Sequence, residues 1–363
     1  MRAAVLREPG GEVAVEEIRL LEPGPGRARV RLTATGVCHS DLSLANGTLA
    51  QKLPAVLGHE AAGRVVAVGA GVTSVSAGDP VLLSWLPACR ECWWCVHGEP
   101  YLCARAGDAA GEPYAELGDG TQLYPGLGVA GFASETVVQE RALLRLPDGV
   151  DLERAALLGC AVLTGVGAIT HAAHVQPGDS VAVIGLGGVG LCAVQGARLA
   201  GAAQVIAVDP SPAKEELARR LGATEFLQPG AELGRKVRAL TDGRGVDHAI
   251  ECVGRAETIR TAWSITRRGG QAIVVGLGPK TEVVSFNALE VAHFARGLRG
   301  CMFGNADPAV DVPPLLEHVS AGRLELDALV TRRITLDDIP SAFDDMRAGA
   351  GARSLVVFTE EAS

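Results

Sequence analysis

The first third of the chain is a series of short hydrophobic runs broken by glycine, proline and serine. The segments "EVAVEEIRL", "RARVRLTATG", "AGRVVAVG" and "DPVLLSW" predict short β-strands joined by tight turns. From Asp179 the pattern changes. "DSVAVIGLGGVGLCAVQGARLAGAAQVIAVDPSPAKEELARRLGA" reads as strand, glycine turn, helix, strand and second helix. "GVDHAIECVG" and "GGQAIVVGLG" are two further apolar runs ending in glycine, as later strands of a parallel sheet would be. The fold class expected is therefore α/β, a β-rich region followed by a doubly wound parallel sheet.

One stretch imitates a membrane span. From Ala155 through "AALLGCAVLTGVGAITHAAHVQPG" to "SVAVIGLGGVGLCAVQGA", the only formal charge between Arg154 and Arg198 is Asp179. Gly, Pro, His and Gln interrupt both halves, and Asp179 falls where a span must be apolar, so buried core and no membrane is the expectation.

A length of 363 residues allows two domains, each with its own core and no need of disulfide support. With 46 glycines and only 4% aromatic residues the composition suits an α/β protein rich in tight turns. The net charge of −9, without a basic run, argues against nucleic acid as a partner. Arg7 and Glu8 interrupt the N-terminus before a signal-like apolar core forms, which predicts a cytoplasmic protein. In that reducing compartment nine cysteines point to metal ligation with some core packing.

"PACRECWWCVHGEPYLC" places Cys89, Cys92, Cys95 and Cys103 in a C-x2-C-x2-C-x7-C pattern. Thiolates two residues apart converge on one ion within a tight turn, and four of them complete a tetrahedral zinc shell with no open position. This zinc, in a lobe at about residues 87–105, is expected to be structural. His97 is surplus to four thiolates and reads as a solvated loop residue.

Gly185-x-Gly187-x-x-Gly190, with Gly188 and Val189 inside it, follows a strand and opens a helix. Gly185 permits the turn, Gly187 lets the backbone approach a pyrophosphate, and Gly190 allows helix to pack on strand. Asp209 ends the next strand nineteen residues after Gly190, where a carboxylate accepts ribose hydroxyls and repels a 2′-phosphate. NAD is expected over NADP, with Lys214 in reach of the same ribose. Cys192, Cys252 and Cys301 lie in or beside apolar segments and read as packing.

Three further stretches are "GVCHSDL" with Cys38, "LGHEAAG" with His59 and "ALLGCAVLTG" with Cys160. Singly each is more often packing than ligand. Together, two thiolates and an imidazole can hold a catalytic zinc with a fourth position open.

Gly58-His59-Glu60, the cysteine cluster and the glycine loop, in that order, resemble the zinc-dependent medium-chain alcohol dehydrogenases, and the likeness runs from about Arg2 to the closing "ARSLVVF". The resemblance implies a GroES-like β-rich catalytic domain at 1–160, an NAD-binding Rossmann domain at 161–302 and a return to the catalytic domain at 303–363. The final segment would be a helix and a strand packed on the first domain, and a cleft between the domains would hold substrate and nicotinamide. It further implies that Cys38, His59 and Cys160 bind the catalytic zinc, with Glu60 close behind it and Asp41 hydrogen-bonded to His59. Thr164 and Val189 would lie against the nicotinamide, Leu277 near its carboxamide, and His39 and Arg353 near the pyrophosphate. Ser40 would pass on the substrate proton; Ser43 stands where many relatives carry the histidine that completes this relay, leaving His39 or water as substitutes. The implied reaction moves a hydride between an alcohol and NAD in a homodimer or homotetramer, the exposed dinucleotide-sheet edge being the interface.

Trp85 and Phe132 fall where relatives place aromatic walls, and a large indole would favour primary alcohols or aldehydes, with small secondary alcohols admitted. The Gly-rich stretch from Cys103 to Phe132 resembles the thiol-dependent formaldehyde dehydrogenases. Relatives that take glutathione adducts carry an acidic residue ahead of the Gly-His-Glu motif, where "ANGTLAQKLP" has only Lys52. Glutathione is thus less expected than another thiol. The non-enzymatic readings are a zinc-containing binding protein and a silent NAD-binding protein; the intact Cys38, His59 and Cys160 set argues against both.

Overall fold

The structure is a computed structural model that describes residues 1–358. Its strands are β1 (Arg2–Leu6), β2 (Val13–Leu20), β3 (Arg27–Val37), β4 (Ala55–Val56), β5 (Glu60–Val68) and β6 (Pro80–Leu83). They continue with β7 (Ala115–Leu117), β8 (Gln122–Pro125), β9 (Glu135–Gln139), β10 (Leu143–Arg145), β11 (Ser180–Ile184) and β12 (Gln204–Val208). Last come β13 (Glu225–Leu227), β14 (Val246–Glu251), β15 (Thr266–Val274), β16 (Gly297–Gly300), β17 (Val330–Ile334) and β18 (Arg353–Val357).

The described residues form two units. The first holds Met1–Cys160, Asp307–Val312 and the chain from Val330 on. In it β1-β2-β7-β8-β4 close a small barrel, beside a sheet ordered β10-β6-β5-β3-β18-β17 with β9 also on β3. β3 shows how the pattern works: Ala28, Val30, Leu32 and Ala34 point into the core, while Arg29 and Arg31 turn out and share Glu135 of β9. Each such apolar side chain removed from water contributes about 1.5–3 kcal/mol if of Val or Leu size. The alternation stops at Ala34, and Thr35, Gly36 and Val37 are all buried. That buried end of β3 delivers the chain to Cys38.

The second unit holds Ala161–Ala306 and Pro313–Leu329. Its sheet is ordered β13-β12-β11-β14-β15-β16, with every pairing parallel. β11 and β12 are apolar without alternation because both of their faces are buried. Strand order reverses between β11 and β14, the switch point at which such sheets bind ligands beyond the carboxyl ends of their strands.

Where the chain returns to the first unit differs from the expected 303–363. Residues 313–329 belong to the dinucleotide unit, because Glu325 exchanges hydrogen bonds with Gln195 and pairs with Arg220, and Arg198 donates to the Arg323 carbonyl. The closing segment does form a helix, Ile339–Arg347, and the strand β18. Among the described residues no single helix is long and apolar enough to cross a membrane. The apolar run from Ala155 breaks into short helices and then becomes β11.

Candidate active site

Cys38 follows β3 and precedes the helix His39–Ala45. Asp41, in the first turn of that helix, has no exposed surface, and its carboxylate takes three N–H groups: Cys38 N–H at 3.1 Å on Oδ2, with Gly58 N–H at 2.9 Å and His59 Nδ1–H at 3.0 Å on Oδ1. This fixes the tautomer of His59 and points its Nε2 the other way. Nε2 is buried without a hydrogen-bond partner. An orphaned buried nitrogen costs about 1–3 kcal/mol unless something binds it. The ligand atoms of Cys38, His59 and Cys160 lie within 4.8 Å of one another, so the three residues fit one tetrahedral ion with a position left open.

Behind this set lies a buried charge. β18 pairs with the end of β3, which brings Arg353 to donate to the Val37 carbonyl at 2.8 Å and to pair with Glu60 Oε1 at 3.3 Å. Gly36 makes room for Glu60: a Cβ there would sit 1.9 Å from Glu60 Oε2. A hydrogen bond from Cys160 pulls the Cys38 thiol well below the usual thiol range, and Arg353 adds to the effect against burial. The same bond, with burial, pushes Cys160 up, so one thiolate forms readily in the pair. Arg353, expected near the pyrophosphate, is held beside Glu60 at the end of β3. Arg353 is 5% exposed, and its terminal nitrogens are engaged inside the first unit.

Trp85 stands edge-on to His59, ring centroids 6.0 Å apart, and Ser40 Oγ is 4.0 Å from Cys38 Sγ. His39 is exposed at the start of its helix. Phe132 departs from the expected aromatic wall. It has no exposed surface and packs in the barrel core with Val37, Leu57 and Phe343, where a flat apolar ring fills space between β-strands.

The second cysteine set is Cys89, Cys92, Cys95 and Cys103, again with all sulfurs within 4.8 Å. Cys89 and Cys95, like Cys92 and Cys103, have sulfurs 4.0 Å apart. Zn–S bonds of about 2.3 Å on a tetrahedron put sulfurs about 3.8 Å apart, so the spacing fits. Backbone N–H groups of Cys89 and Arg105 point at Cys103 Sγ. Those of Cys95 and Ala104 pull Cys92 down to about 6. His97 is outside the set, exposed and stacked on Trp93.

In the second unit Gly185 has φ of +89°, and a Cβ on Gly190 would fall 1.9 Å from the Gly185 carbonyl oxygen, so glycine is required there. Gly187 precedes the helix Gly188–Leu199 and is exposed, while Val189 is half-buried. Asp209 is buried after β12; its Oδ2 accepts Leu186 N–H at 2.8 Å and pairs with Lys214 at 3.3 Å. Its Oδ1 accepts Ser211 N–H at 2.9 Å. Asp209 thereby ties the glycine loop to the end of β12. Thr164 is buried in the helix Ala161–Gly167, and Leu277 lies beyond β15, 54% exposed.

Residues 24–148 match the alcohol dehydrogenase GroES-like domain, and 188–321 match the zinc-binding dehydrogenase domain. An S-(hydroxymethyl)glutathione dehydrogenase of Synechocystis is 39% identical over 98% of this chain and 99% of its own length. The chain belongs to the zinc-dependent medium-chain alcohol dehydrogenases. Solved relatives include an alcohol dehydrogenase zinc-binding domain protein from Burkholderia ambifaria, 32% identical with a TM-score of 0.92 and 99% of each chain covered. The benzyl alcohol dehydrogenase of Acinetobacter calcoaceticus is 28% identical with a TM-score of 0.90, also over 99% of each chain. This dehydrogenase is thus a zinc-dependent oxidoreductase of the NAD(P)-using type with two zinc sites. What the sequence reading missed is Asp41 bonding to Cys38 and Gly58 as well as His59, and Gly36 as the space for Glu60. The Cys38 bond is a local cap three residues away, whereas the Gly58 bond and the fit of Gly36 to Glu60 depend on strands and loops meeting across the fold.

Proposed function

We propose that this dehydrogenase transfers a hydride between a primary or small secondary alcohol and NAD, giving aldehyde or ketone plus NADH. The observation that carries the reading is the Cys38, His59 and Cys160 set with its buried, unpartnered Nε2. Bound zinc supplies a Lewis acid that lowers the pKa of an alcohol and polarises a carbonyl, and bound nicotinamide supplies the hydride acceptor. The rest falls to the protein. Asp41 holds His59 in one tautomer and orientation. Ser40, its hydroxyl 4.0 Å from Cys38 Sγ, accepts and passes on a proton; with Ser43 one helical turn on, no histidine follows it in the relay, and His39 or water carries the proton outward. Trp85 narrows the space beside His59, which favours unbranched carbon at the reacting centre. The buried Asp209 carboxylate favours two ribose hydroxyls over a 2′-phosphate, and hence NAD over NADP.

A second reading is oxidation of a formaldehyde–thiol adduct, favoured by the 39% identity to an S-(hydroxymethyl)glutathione dehydrogenase. Lys52, stacked on Tyr124 where an acidic residue would greet a glutathione ammonium group, points to a thiol other than glutathione. NADH formation with zinc-loaded protein, a panel of benzylic and aliphatic alcohols, and formaldehyde with several thiols tests both. Turnover of free primary alcohols supports the first reading and turnover of adducts alone the second. Silence with two zinc ions bound, or preference for bulky secondary alcohols, overturns the substrate class proposed.

A further inference from the structure

We propose that Glu251 is a positioning residue for the dinucleotide: from the end of β14 its buried carboxylate holds the following turn, 252–255, in the conformation that completes the cofactor rim. The inference rests on reading the Gly185–Gly190 loop as the dinucleotide site.

Glu251 has no exposed surface. One oxygen, Oε1, accepts Val253 N–H at 2.8 Å, Gly254 N–H at 2.8 Å and the Thr258 hydroxyl at 2.7 Å. Its main-chain carbonyl accepts Val275 N–H at 2.8 Å and Gly276 N–H at 3.0 Å. A single residue thus ties together the loops that leave β14 and β15. The loop that leaves β11 is tied to the same seam, because Cys252 N–H donates to the Ile184 carbonyl at 2.9 Å. Backbone lies directly on backbone there: a Cβ on Gly254, at φ of +85°, would meet the Leu277 carbonyl carbon at 2.5 Å. These three loops stand at the carboxyl ends of neighbouring parallel strands, at the switch point of the sheet.

Packing alone does not explain a carboxylate in this place. Its second oxygen, Oε2, is buried without a hydrogen-bond partner, and burial pushes the carboxyl above its ordinary range. An apolar residue would fill the space at less cost. What an apolar residue cannot do is accept two successive turn N–H groups and the hydroxyl of the next helix at one point. The turn so held presents Val253, 40% exposed, beside the Gly185 loop. If loss of the clamp leaves the rim in its binding geometry about a tenth of the time, the apparent Kd rises about tenfold.

Full-length, zinc-loaded protein is titrated with NADH by fluorescence and with ADP-ribose by calorimetry. Glu251→Ala is expected to weaken both about tenfold or more, and Glu251→Gln, which keeps an acceptor oxygen, to stay within about threefold. Thr241→Val is the control: it removes a buried hydroxyl that accepts Gly245 N–H before β14, at the opposite end of that strand, and is expected to lower Tm without moving either Kd. The inference fails if Glu251→Ala binds within about twofold of the parent, or if Thr241→Val weakens binding as much. Should Glu251→Ala not fold, Thr258→Val removes one donor to the same oxygen; about threefold weaker binding supports the clamp, and unchanged binding overturns it. Failure of the unaltered protein to bind NADH, NADPH or ADP-ribose would instead overturn the dinucleotide reading.

Discussion

Asp41 joins two separate pieces of chain, the start of its own helix at Cys38 and the Gly58–His59 loop, and that makes it the most informative single residue of the metal site. Its carboxylate accepts from Cys38, Gly58 and His59 at once, so it sets the position of two metal ligands and the tautomer of one. Asparagine keeps the size but replaces one acceptor oxygen with a donor facing other donors. Asp41→Asn is expected to weaken the catalytic zinc about 10–100-fold. Dialysis against a chelator followed by elemental analysis should then find about one zinc per chain in the variant and about two in the parent; equal zinc contents would refute the role. Asp209 allows a second test at this scale. Removing its charge in Asp209→Ser takes away the repulsion of a 2′-phosphate, worth several kcal/mol for juxtaposed like charges, and loosens Leu186 of the glycine loop. The ratio of kcat/KM for NAD over NADP should fall by about tenfold or more, and an unchanged ratio would locate the preference elsewhere. Asp209 was legible in the sequence as a strand-end acid, a local feature, and Asp41 as the partner of His59 only through the family resemblance. Their further bonds were not. The meeting of Asp41 with Gly58 and the inward turn of Arg353 onto Glu60 are products of β18 lying on β3 and of the loop before β5, and no local pattern encodes such meetings.

At the scale of strands and helices, legibility followed burial. β3, β5, β11, β12 and β14 were readable because apolar residues mark the buried positions. β7, β8, β16 and β17 were not: they are short, and β16 and β17 are largely exposed, so their identity rests on ladder hydrogen bonds that leave no hydrophobic signature. Polar pairings at strand starts are equally silent, and one of them makes stability depend on pH. Asp247 of β14 accepts Ser180 N–H at 2.8 Å and the Ser180 hydroxyl at 2.6 Å on one oxygen, and Arg267 Nε–H at 2.5 Å on the other, joining β11, β14 and β15. Burial works against its charge, but these partners outweigh it and draw the carboxyl down from 3.8 to about 2. A carboxyl lowered in the folded state adds stability above its unfolded pKa and loses it as pH falls through the folded one. Asp247→Asn should therefore lower stability by about 1 kcal/mol at neutral pH, or about 2–4 °C in Tm. The gap between the two proteins should narrow as pH drops from 3.8 towards about 2, followed by thermal unfolding at a series of pH values; a gap independent of pH would reject this account.

For the molecule as a whole, the two zinc sites do different work, and the distribution of buried surface shows why. Around Cys38, His59 and Cys160 the first unit has its own core, with β3, β5 and β18 packed and paired through contacts of their own. The cysteine lobe has almost none. Between Cys89 and Arg105 only Cys103 is buried, and Trp93, Trp94, Val96 and Leu102 are exposed. A segment with so little apolar burial cannot offset the entropy of ordering it, about 1–2 kcal/mol per residue for the backbone, so the energy that folds it has to come from the ion. Cys103→Ser opens the four-thiolate shell, and the expected result is loss of about one zinc per chain together with local unfolding of the lobe rather than of the whole chain. Arg90 and Arg105 are both exposed, each held in the folded lobe by an ion pair, with Asp307 and with Glu91 respectively. Limited trypsin digestion under native conditions should cut the variant at these two arginines well before the parent. ADP-ribose affinity should be retained within about threefold, because the glycine loop, Asp209 and the seam around Glu251 are built entirely from residues of the second unit. Tryptic resistance equal to the parent, with one zinc gone, would show that the lobe is held by its chain contacts and not by the metal.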